Sequence, residues 1–448
     1  MTMPKATQHI KKESSVLLKL GGPIIATQLM RMGLNFTDTV MAGNLSALDL
    51  AGVAIGNAMY LPLSIFCMAT LIAINPIVSE HLGARRFKEI GTSARQMFWL
   101  VILLTIPTFF LTRNLDIIMN LVGVTQEIVP IATSYLKAIS WGLLPLFAYA
   151  GVRYFSEGLS VTKPAMYIAA ASLILNIGAN YIFMYGALGI NGMGAVGAGY
   201  ATSLINFFAA VVFIGFMMRF KPFKRFKIFD RTKGPDPVIF REILRVGVPN
   251  GASTAMEILL FASVSVLMGT LSVEASASHQ IAINVAATLF MIPFGLSMAI
   301  TQRVGFSIGQ GSLKNARFRG FTGIGICGTI MTLTAIILFS IPEAIISIYT
   351  DDPLVSKMSV SLLFMAGLFQ ISDGLQVGGF GALRGLKDTR VPMLVNFIAY
   401  WIIGFPIGYY LGIVSDYGPE GLWFGLISGL SVAAVLHNYR FHKLSKIN

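Results

Sequence analysis

The sequence predicts an all-α membrane protein with twelve transmembrane helices, arranged as two pseudo-symmetric lobes of six helices each. Of the 448 residues, 55% are hydrophobic and only 12% are charged, and the mean hydropathy is +0.73. Soluble domains carry roughly 25% charged residues. Apolar runs of about 20 residues, long enough to cross a hydrocarbon core, recur along the whole chain. Related segments also recur in its two halves, which predicts a duplicated architecture.

Twelve apolar segments separated by short polar breaks are the predicted spans. The first span follows a basic segment, KATQHIKKESS, and continues past residue 40 without a small-residue cleavage site. We therefore expect a retained span and not a cleaved signal peptide. The predicted spans are 16–42, 50–77, 96–112, 128–152, 164–186, 195–218, 242–270, 277–302, 320–341, 358–381, 392–414 and 421–438.

The net charge of +13 reflects where the basic residues lie and does not indicate nucleic-acid binding. All but four of the 33 Lys and Arg residues fall in segments that share one side of the membrane if the N-terminus is cytoplasmic; the four are Arg31, Arg113, Lys137 and Lys357. The positive-inside rule then places both termini in the cytoplasm of a multi-pass membrane protein. Contact of the basic loops with anionic membrane lipid is a further expectation.

The two halves of the chain resemble each other at an offset of 226 to 227 residues. KLGGP at 19–23 aligns with RVGVP at 245–249, and EGLSVTKPAM at 157–166 aligns with RGLKDTRVPM at 384–393. Because each half has an even number of spans, both halves begin on the same side of the membrane and the repeats are parallel. Transporters built in this way bind substrate between the two lobes and open to each side of the membrane in turn. The predicted domains are an N-lobe at 1–218, a basic cytoplasmic linker at 219–241 and a C-lobe at 242–448.

Motif searches exclude several other classes of function. No GxxxxGK[ST] motif is present, which argues against a nucleotide-driven pump. No HExxH or GxSxG motif is present either, so we predict that the protein is not an enzyme and uses no cofactor. Cys67 and Cys327 lie in apolar helical segments, where a free cysteine packs as a small hydrophobe.

The first span carries a polar stripe. Gln28, Arg31, Asn35 and Asp38 are spaced three, four and three residues apart and share one helical face. An ionisable group within a span costs roughly 2.5 to 3.5 kcal/mol on insertion scales and usually marks an ion or substrate pathway. We therefore predict that Asp38 is functional; the alternative is a structural ion pair with Arg31. Pro23 in the same span aligns with Pro249 in the seventh, which favours a bend at both positions.

Polar residues on neighbouring spans offer partners for Asp38. Asn176 and Asn180 share a face of the fifth span, and Thr202 lies in the sixth. A carboxylate with amide and hydroxyl oxygens suits a hard cation. The same carboxylate can instead bind a proton, because a low dielectric favours its neutral form, and the residues alone do not separate these alternatives.

The second half carries a different set of polar residues. Glu257 lies in the seventh span and Asp373 in the tenth, whereas Asp38 aligns with Val264 and Glu257 aligns with Arg31 at the offset of 226. The predicted fold is symmetric and the ionisable groups are not. Candidates for lining a substrate cavity or for gating are Gln28, Arg31, Asn35, Gln280, Asn284, Phe290 and Gln370.

Several separated motifs together resemble the multidrug and toxic compound extrusion (MATE) family, in particular its NorM-like bacterial branch. The resemblance covers essentially the whole chain. It rests on a proline fifteen residues before DTVMAG, the Asn176 and Asn180 pair, Glu257, Asp373, HQIAIN at 279–284 and RVGFSIGQG at 303–311.

The resemblance implies multidrug efflux by antiport: organic, often cationic and amphipathic, drugs leave as Na⁺ or H⁺ enters, a function associated with antibiotic resistance. It implies an N-lobe cation site at Asp38, Asn176, Asn180 and Thr202. It further implies a C-lobe acidic pair at Glu257 and Asp373, which favours sodium, and bending of the first helix at Pro23. The location implied by the resemblance is a bacterial inner membrane. The expected partners are small-molecule substrates and membrane lipids, with a monomeric protein and no resident metal beyond transported Na⁺.

Arg31 departs from the pattern expected in this family. It either pairs with Asp38, reaches Glu257 or Asp373, or has a purely structural role between helices. Either of the first two arrangements raises the local positive potential and disfavours purely cationic substrates. Arg31 also favours an alternative function, a lipid-linked oligosaccharide flippase of the wider superfamily, against which the acidic residues argue. A non-transporting scaffold or receptor is a third alternative, and it predicts that Asp38 is dispensable.

Overall fold

The computed structural model describes residues 5–229 and 234–446, and all regular secondary structure in these ranges is helical. Within the predicted linker, residues 230–233 lie outside the described residues. The helices are α1 (Lys5–Gly43), α2 (Ala47–Leu71), α3 (Ile74–Gly83), α4 (Phe87–Arg113), α5 (Asp116–Val122), α6 (Val129–Ser140), α7 (Leu143–Gly158), α8 (Lys163–Asn180), α9 (Ala195–Arg219), α10 (Lys221–Lys224), α11 (Pro237–Leu271), α12 (Val273–Gly309), α13 (Leu313–Ser340), α14 (Pro342–Ile346), α15 (Pro353–Gly385), α16 (Arg390–Phe397), α17 (Phe405–Tyr409) and α18 (Gly418–Leu444). Three π-helical segments accompany them, at Tyr181–Gly186, Ile398–Gly404 and Tyr410–Val414.

The predicted spans correspond to helices or to consecutive helical segments. Among the described residues, ten helices are long and apolar enough to cross a membrane, and α6 with α7, bent by 49° at their break, can form an eleventh. α1 is not among them, although its 39 residues are long enough. The polar stripe of α1 lowers its hydropathy. The prediction of a polytopic α-helical membrane protein is confirmed, whereas twelve spans and cytoplasmic termini stay predictions.

The sequence repeats recur as repeated local structure. Ser46 caps the N-terminus of α2 by accepting a hydrogen bond from the backbone N–H of Asp49 (2.9 Å), and its counterpart Ser272 caps α12 through Ala275 (3.0 Å). Such caps satisfy backbone donors that have no partner within the helix. Equivalent residues therefore begin equivalent helices in the two halves.

The second repeated motif forms the same turn in each half. Ser160 and Lys387, which align at the offset of 227, both have positive φ angles, 65° and 59°. Each turn leads into a helix with a proline in its first turn, α8 or α16, where the missing backbone N–H of proline leaves no hydrogen bond unmade. These matched turns confirm the prediction of two repeated halves.

Residues Ala26–Gly251 form one compact unit, here called the N-unit. α9 lies in its core and packs against α6, α7 and α8. The first part of α11 belongs to this unit: Asn250 Nδ2 donates to the carbonyl of Ala69 (2.7 Å). Gly247 allows this approach, because a Cβ there would clash with the carbonyl of Thr70.

The second compact unit, the C-unit, consists of the chain up to Ile25 and from Ala252 onward. α15 lies in its core and packs against α12, α13 and α18. The first part of α1 belongs to this unit. Its Glu13 carboxylate accepts two hydrogen bonds from Arg303, both 2.6 Å long, and Arg319 lies 3.7 Å away. Such paired charge-assisted bonds fix geometry strongly.

The chain changes unit twice, inside α1 and inside α11. The changes fall between Ile25 and Ala26 and between Gly251 and Ala252. Pro23 and Pro249 are the prolines inside these two helices, so each lies within three residues of a change. The predicted lobe boundaries follow the sequence repeat and differ from this division of the chain by packing. They remain a prediction.

Candidate functional site

Asp38 lies in the second half of α1 and is only 3% exposed. Asn180 Nδ2 donates a hydrogen bond to its Oδ1 (2.6 Å), and Thr202 Oγ1 donates one to its Oδ2 (2.9 Å). Asn176 joins the cluster, because its Oδ1 accepts from Asn180 Nδ2 (3.2 Å). The structure thus brings together the four residues predicted to form the N-lobe site.

Local helix structure positions these partners. Asn176 and Asn180 lie one turn apart on the last part of α8, directly before the π-helical segment Tyr181–Gly186. π-helical turns within helices are frequent at functional sites. Thr202 lies in the second turn of α9, which begins after Gly194 at a positive φ of 58°.

The Asp38 cluster is rich in oxygen atoms. Two carboxylate oxygens, the two amide oxygens of Asn176 and Asn180, and the Thr202 hydroxyl lie within it. Asn180 Oδ1 is buried without a hydrogen-bond partner among the described residues. Buried polar atoms nearly always have a hydrogen-bond partner. This oxygen is therefore suited to donate a lone pair to a bound ligand such as a cation. The donor set suits a hard monovalent or divalent cation, and the carboxylate can alternatively bind a proton.

The other residues of the polar stripe contact α2 and α7. Gln28 Oε1 accepts a hydrogen bond from Arg153 Nη1 (2.8 Å), while Asn35 is exposed. Arg31 extends towards α2 and α7: its Nη2 lies 4.0 Å from Met68 Sδ, and its guanidinium lies 5.5 Å from the centre of the Tyr149 ring. Among the described residues Arg31 forms no ion pair with Asp38. This geometry does not support the first of the roles considered for Arg31, pairing with Asp38.

Sequence reasoning missed the buried ion pair next to this stripe. Arg153 Nε and Glu157 Oε1 lie 3.4 Å apart, one turn apart on α7, and their side chains are 4% and 1% exposed. The predicted fourth span, 128–152, leaves Arg153 just outside it, among the basic residues expected on the cytoplasmic side. The spacing of four residues between Arg153 and Glu157 was the signal in the sequence, since it puts both on one helix face.

In the C-unit, Glu257 and Asp373 lie close enough to interact electrostatically, and both also interact with Tyr400. Asp373 is 2% exposed, and its Oδ1 has no hydrogen-bond partner among the described residues. Tyr400, in the π-helical segment Ile398–Gly404, accepts a hydrogen bond from Gln376 Nε2 (3.0 Å). The predicted acidic pair is thus a cluster that includes a tyrosine which the sequence had not suggested.

The remaining cavity candidates lie on α12 and α15. Gln280 is exposed, Asn284 is partly exposed, and Phe290 stacks on Phe294 at 5.6 Å. Gln370 is fully buried and donates to the carbonyl of Ala286 (3.4 Å). In the described part of the chain, no group of three His, Cys, Asp or Glu side chains is placed to hold a metal ion.

A duplicated set of long apolar helices with buried carboxyl groups in both units is the architecture of a secondary membrane transporter. The comparison with protein families identifies which one. The MatE family matches residues 23–182 and again residues 249–410, so the chain belongs to the MatE family. The two matches begin at the aligned prolines, Pro23 and Pro249, which independently confirms the internal repeat.

Solved structures of MATE transporters share this fold. A eukaryotic MATE transporter, AtDTX14, is 20% identical over 97% of this chain and 98% of that one, with a TM-score of 0.88. A MATE P26A mutant is 18% identical over 99% of both chains, also at 0.88. An outward-facing multidrug resistance MATE transporter of the MOP superfamily is 18% identical over 99% of both chains, at 0.87. The fold is therefore that of MATE transporters. Because a eukaryotic protein is among these similar structures, the similarity does not assign the chain to the NorM-like bacterial branch.

Proposed function

We propose that the protein is a cation-coupled antiporter that exports organic, often cationic and amphipathic, drugs and toxins by alternating access. Na⁺ is the favoured coupling ion, and H⁺ is the alternative. The proposal extends to this chain what the MatE family membership and the multidrug resistance transporter of the same fold suggest.

One observation carries the proposal: the oxygen cluster around Asp38. Burying a carboxylate inside a membrane protein costs free energy, and such groups usually bind an ion or line its pathway. Here its two oxygens already accept bonds from Asn180 and Thr202, while the amide oxygen of Asn180 is left without one. A cation that takes its ligands from these oxygens would supply the partner that the Asn180 amide oxygen lacks.

The acidic pair of the C-unit favours sodium because it resembles the acidic pair typical of the Na⁺-linked branch of MATE transporters. Two neighbouring carboxyl groups, Glu257 and Asp373, repel each other when both are charged. A bound monovalent cation removes that repulsion and supplies the partner that Asp373 Oδ1 lacks. We therefore propose Glu257 and Asp373 as a second cation-responsive site.

Efflux from proteoliposomes tests the function. We expect wild-type protein to move ethidium when a Na⁺ gradient is imposed alone, and Asp38→Asn to lose that activity because the neutral side chain no longer attracts the cation. Asp116→Asn, a neutralised carboxylate at the start of α5, is the matched control and should transport normally. Transport by Asp38→Asn at the wild-type rate would reject the proposal. A response to a pH gradient alone would instead identify H⁺ as the coupling ion.

The flippase remains the second candidate, and the observation in its favour is Arg31. Its guanidinium has no carboxylate partner among the described residues, and basic groups in a cavity suit the phosphate groups of lipid-linked sugars. The Asp38 cluster argues against it. Absence of drug efflux under both gradients, together with flipping of a lipid-linked oligosaccharide, would establish this alternative.

We also propose a monomer in a bacterial inner membrane, as the resemblance suggests, with both ends in the cytoplasm on the basis of the basic residues. Single cysteines test the orientation, because the native Cys67 and Cys327 are buried. A cysteine at Lys357 should react with an impermeant reagent added outside the cell. A cysteine at Lys314 should react only after the membrane is permeabilised.

A further inference from the structure

Arg31 is a charged side chain without a counter-charge. In the described structure, its guanidinium contacts the Met68 sulfur and the Tyr149 ring. It also interacts electrostatically with Tyr154, Tyr60 and Arg153. None of these is a carboxylate. A guanidinium has five N–H donors, and the contact with Met68 uses only one of its nitrogens, at the long distance of 4.0 Å.

Two acidic residues on α1 and α7 interact with other residues and not with Arg31. Glu157 is paired with Arg153, which also donates to Gln28. Asp38 lies seven residues further along α1, about 10 Å at the rise of an α-helix, and its two oxygens accept from Asn180 and Thr202. Neither acid neutralises Arg31, and the second guanidinium, Arg153, adds to the positive potential around it.

Arg31 as a whole residue is partly exposed, whereas Tyr149 and Tyr154 beside it are 2% and 4% exposed. The side chains that surround it come from α1, α2 and α7 within the N-unit. A guanidinium backed by an aromatic ring and a polarisable sulfur offers hydrogen bonds to an anion and an apolar surface to a flat ring.

We propose that Arg31 is a substrate-binding residue that recognises a carboxylate, and that the transported compounds include aromatic organic acids and zwitterions. The inference rests on the proposed transport function and specifies its substrate class. A carboxylate matches the fork of the guanidinium with two parallel bonds, and in a medium of low dielectric such a bond is stronger than in water. Arg31 offers no such bonds to a substrate with a positive charge and no acid group.

Equilibrium binding of a matched pair of dyes tests the inference on purified full-length protein. One dye is the rhodamine that carries a free benzoate, and the other is its methyl ester, which has the same cationic ring without the acid. Fluorescence polarisation should show that wild-type protein prefers the free acid. Arg31→Gln should weaken binding of the acid by about tenfold, as expected for a charge-assisted hydrogen bond, and should bind the ester at least as tightly.

Arg113→Gln is the matched control. Arg113 is another arginine of the N-unit that lies over aromatic rings, 5.1 Å from Phe109 and 5.6 Å from Trp141. Removing its charge should leave the preference for the acid unchanged. An unchanged preference in Arg31→Gln, or a wild-type preference for the ester, would overturn the inference.

A second variant covers the case in which Arg31→Gln does not fold. Arg31→Lys keeps the positive charge but lacks the planar fork, so it should retain part of the preference for the acid; an undiminished preference would contradict recognition by the fork. The binding assay uses no gradient. A protein that binds the acid through Arg31 but does not transport it would refute the antiporter and leave the binding site standing.

Discussion

The buried carboxyl groups of the two units differ in how completely the protein satisfies them. Both oxygens of Asp38 accept hydrogen bonds, from Asn180 and Thr202. In the C-unit, Asp373 has an oxygen without a partner among the described residues and a second acid, Glu257, beside it. An unsatisfied buried polar group costs about 1–3 kcal/mol. The N-unit therefore provides hydrogen bonds to both oxygens of Asp38, whereas the C-unit leaves one oxygen of Asp373 without a partner among the described residues.

The difference shows what duplication preserves. The matched residues of the two halves are caps and turns, such as Ser46 with Ser272, and they begin the same helices. The buried acids are unmatched: the counterpart of Asp38 is Val264, which is 3% exposed and belongs to the apolar core of the C-unit. The scaffold was kept while the chemistry of each half diverged.

The largest expected effect on stability comes from removing the satisfied carboxylate. Asp38→Ala leaves Asn180 Nδ2 and Thr202 Oγ1 without their acceptor and should lower the free energy of unfolding by about 3 kcal/mol. Thermal unfolding in detergent, with and without Na⁺, measures it. Na⁺ should raise the melting temperature of the wild type and not of the variant. Asn35→Ala, on the exposed part of the same helix, should have almost no effect; an equal loss there would refute a special role for the cluster.

A smaller effect is expected for a single hydrogen bond within the cluster. Thr202→Val keeps the shape of the side chain but removes the hydroxyl that donates to Asp38 Oδ2, which should cost about 1 kcal/mol, as for hydrogen bonds between membrane helices. Ser172→Ala is the natural comparison, because the Ser172 hydroxyl is buried on α8 without a partner among the described residues. Its melting temperature should stay the same or rise. A larger loss for Ser172→Ala than for Thr202→Val would reverse our interpretation.

The smallest expected effect on stability is an increase, opposite in sign to the two effects above. Asp373→Asn removes one of two neighbouring buried acids and should stabilise the C-unit by up to about 1 kcal/mol, because the protein no longer has to bury a second ionisable group beside Glu257. The same thermal assay detects it. If Asp373→Asn and Asp38→Asn both destabilised the protein to the same extent, the proposed contrast between the two units would be wrong.

The sequence predicted most of the helices and the grouping of residues on a single helix face, because both follow from periodicity along the chain. It did not predict which neighbouring helix each face meets. Gln28 and Arg31 were placed correctly on one stripe with Asp38, yet they contact Arg153 and Tyr149 on α7, which is distant in sequence. Tyr400 was missed for the same reason, since its proximity to Asp373 arises only from helix packing.

The division of the chain inside α1 has a consequence for how the protein is made. Glu13 emerges early from the ribosome, but its partner Arg303 is 290 residues away and is synthesised only after the entire N-unit. Contacts of such long sequence separation form late and slow folding. The first part of α1 must therefore wait in the membrane without its final neighbours. Neither half of the duplicated chain contains all the parts of a finished unit, so a truncated N-terminal half should be a substrate for quality-control proteases.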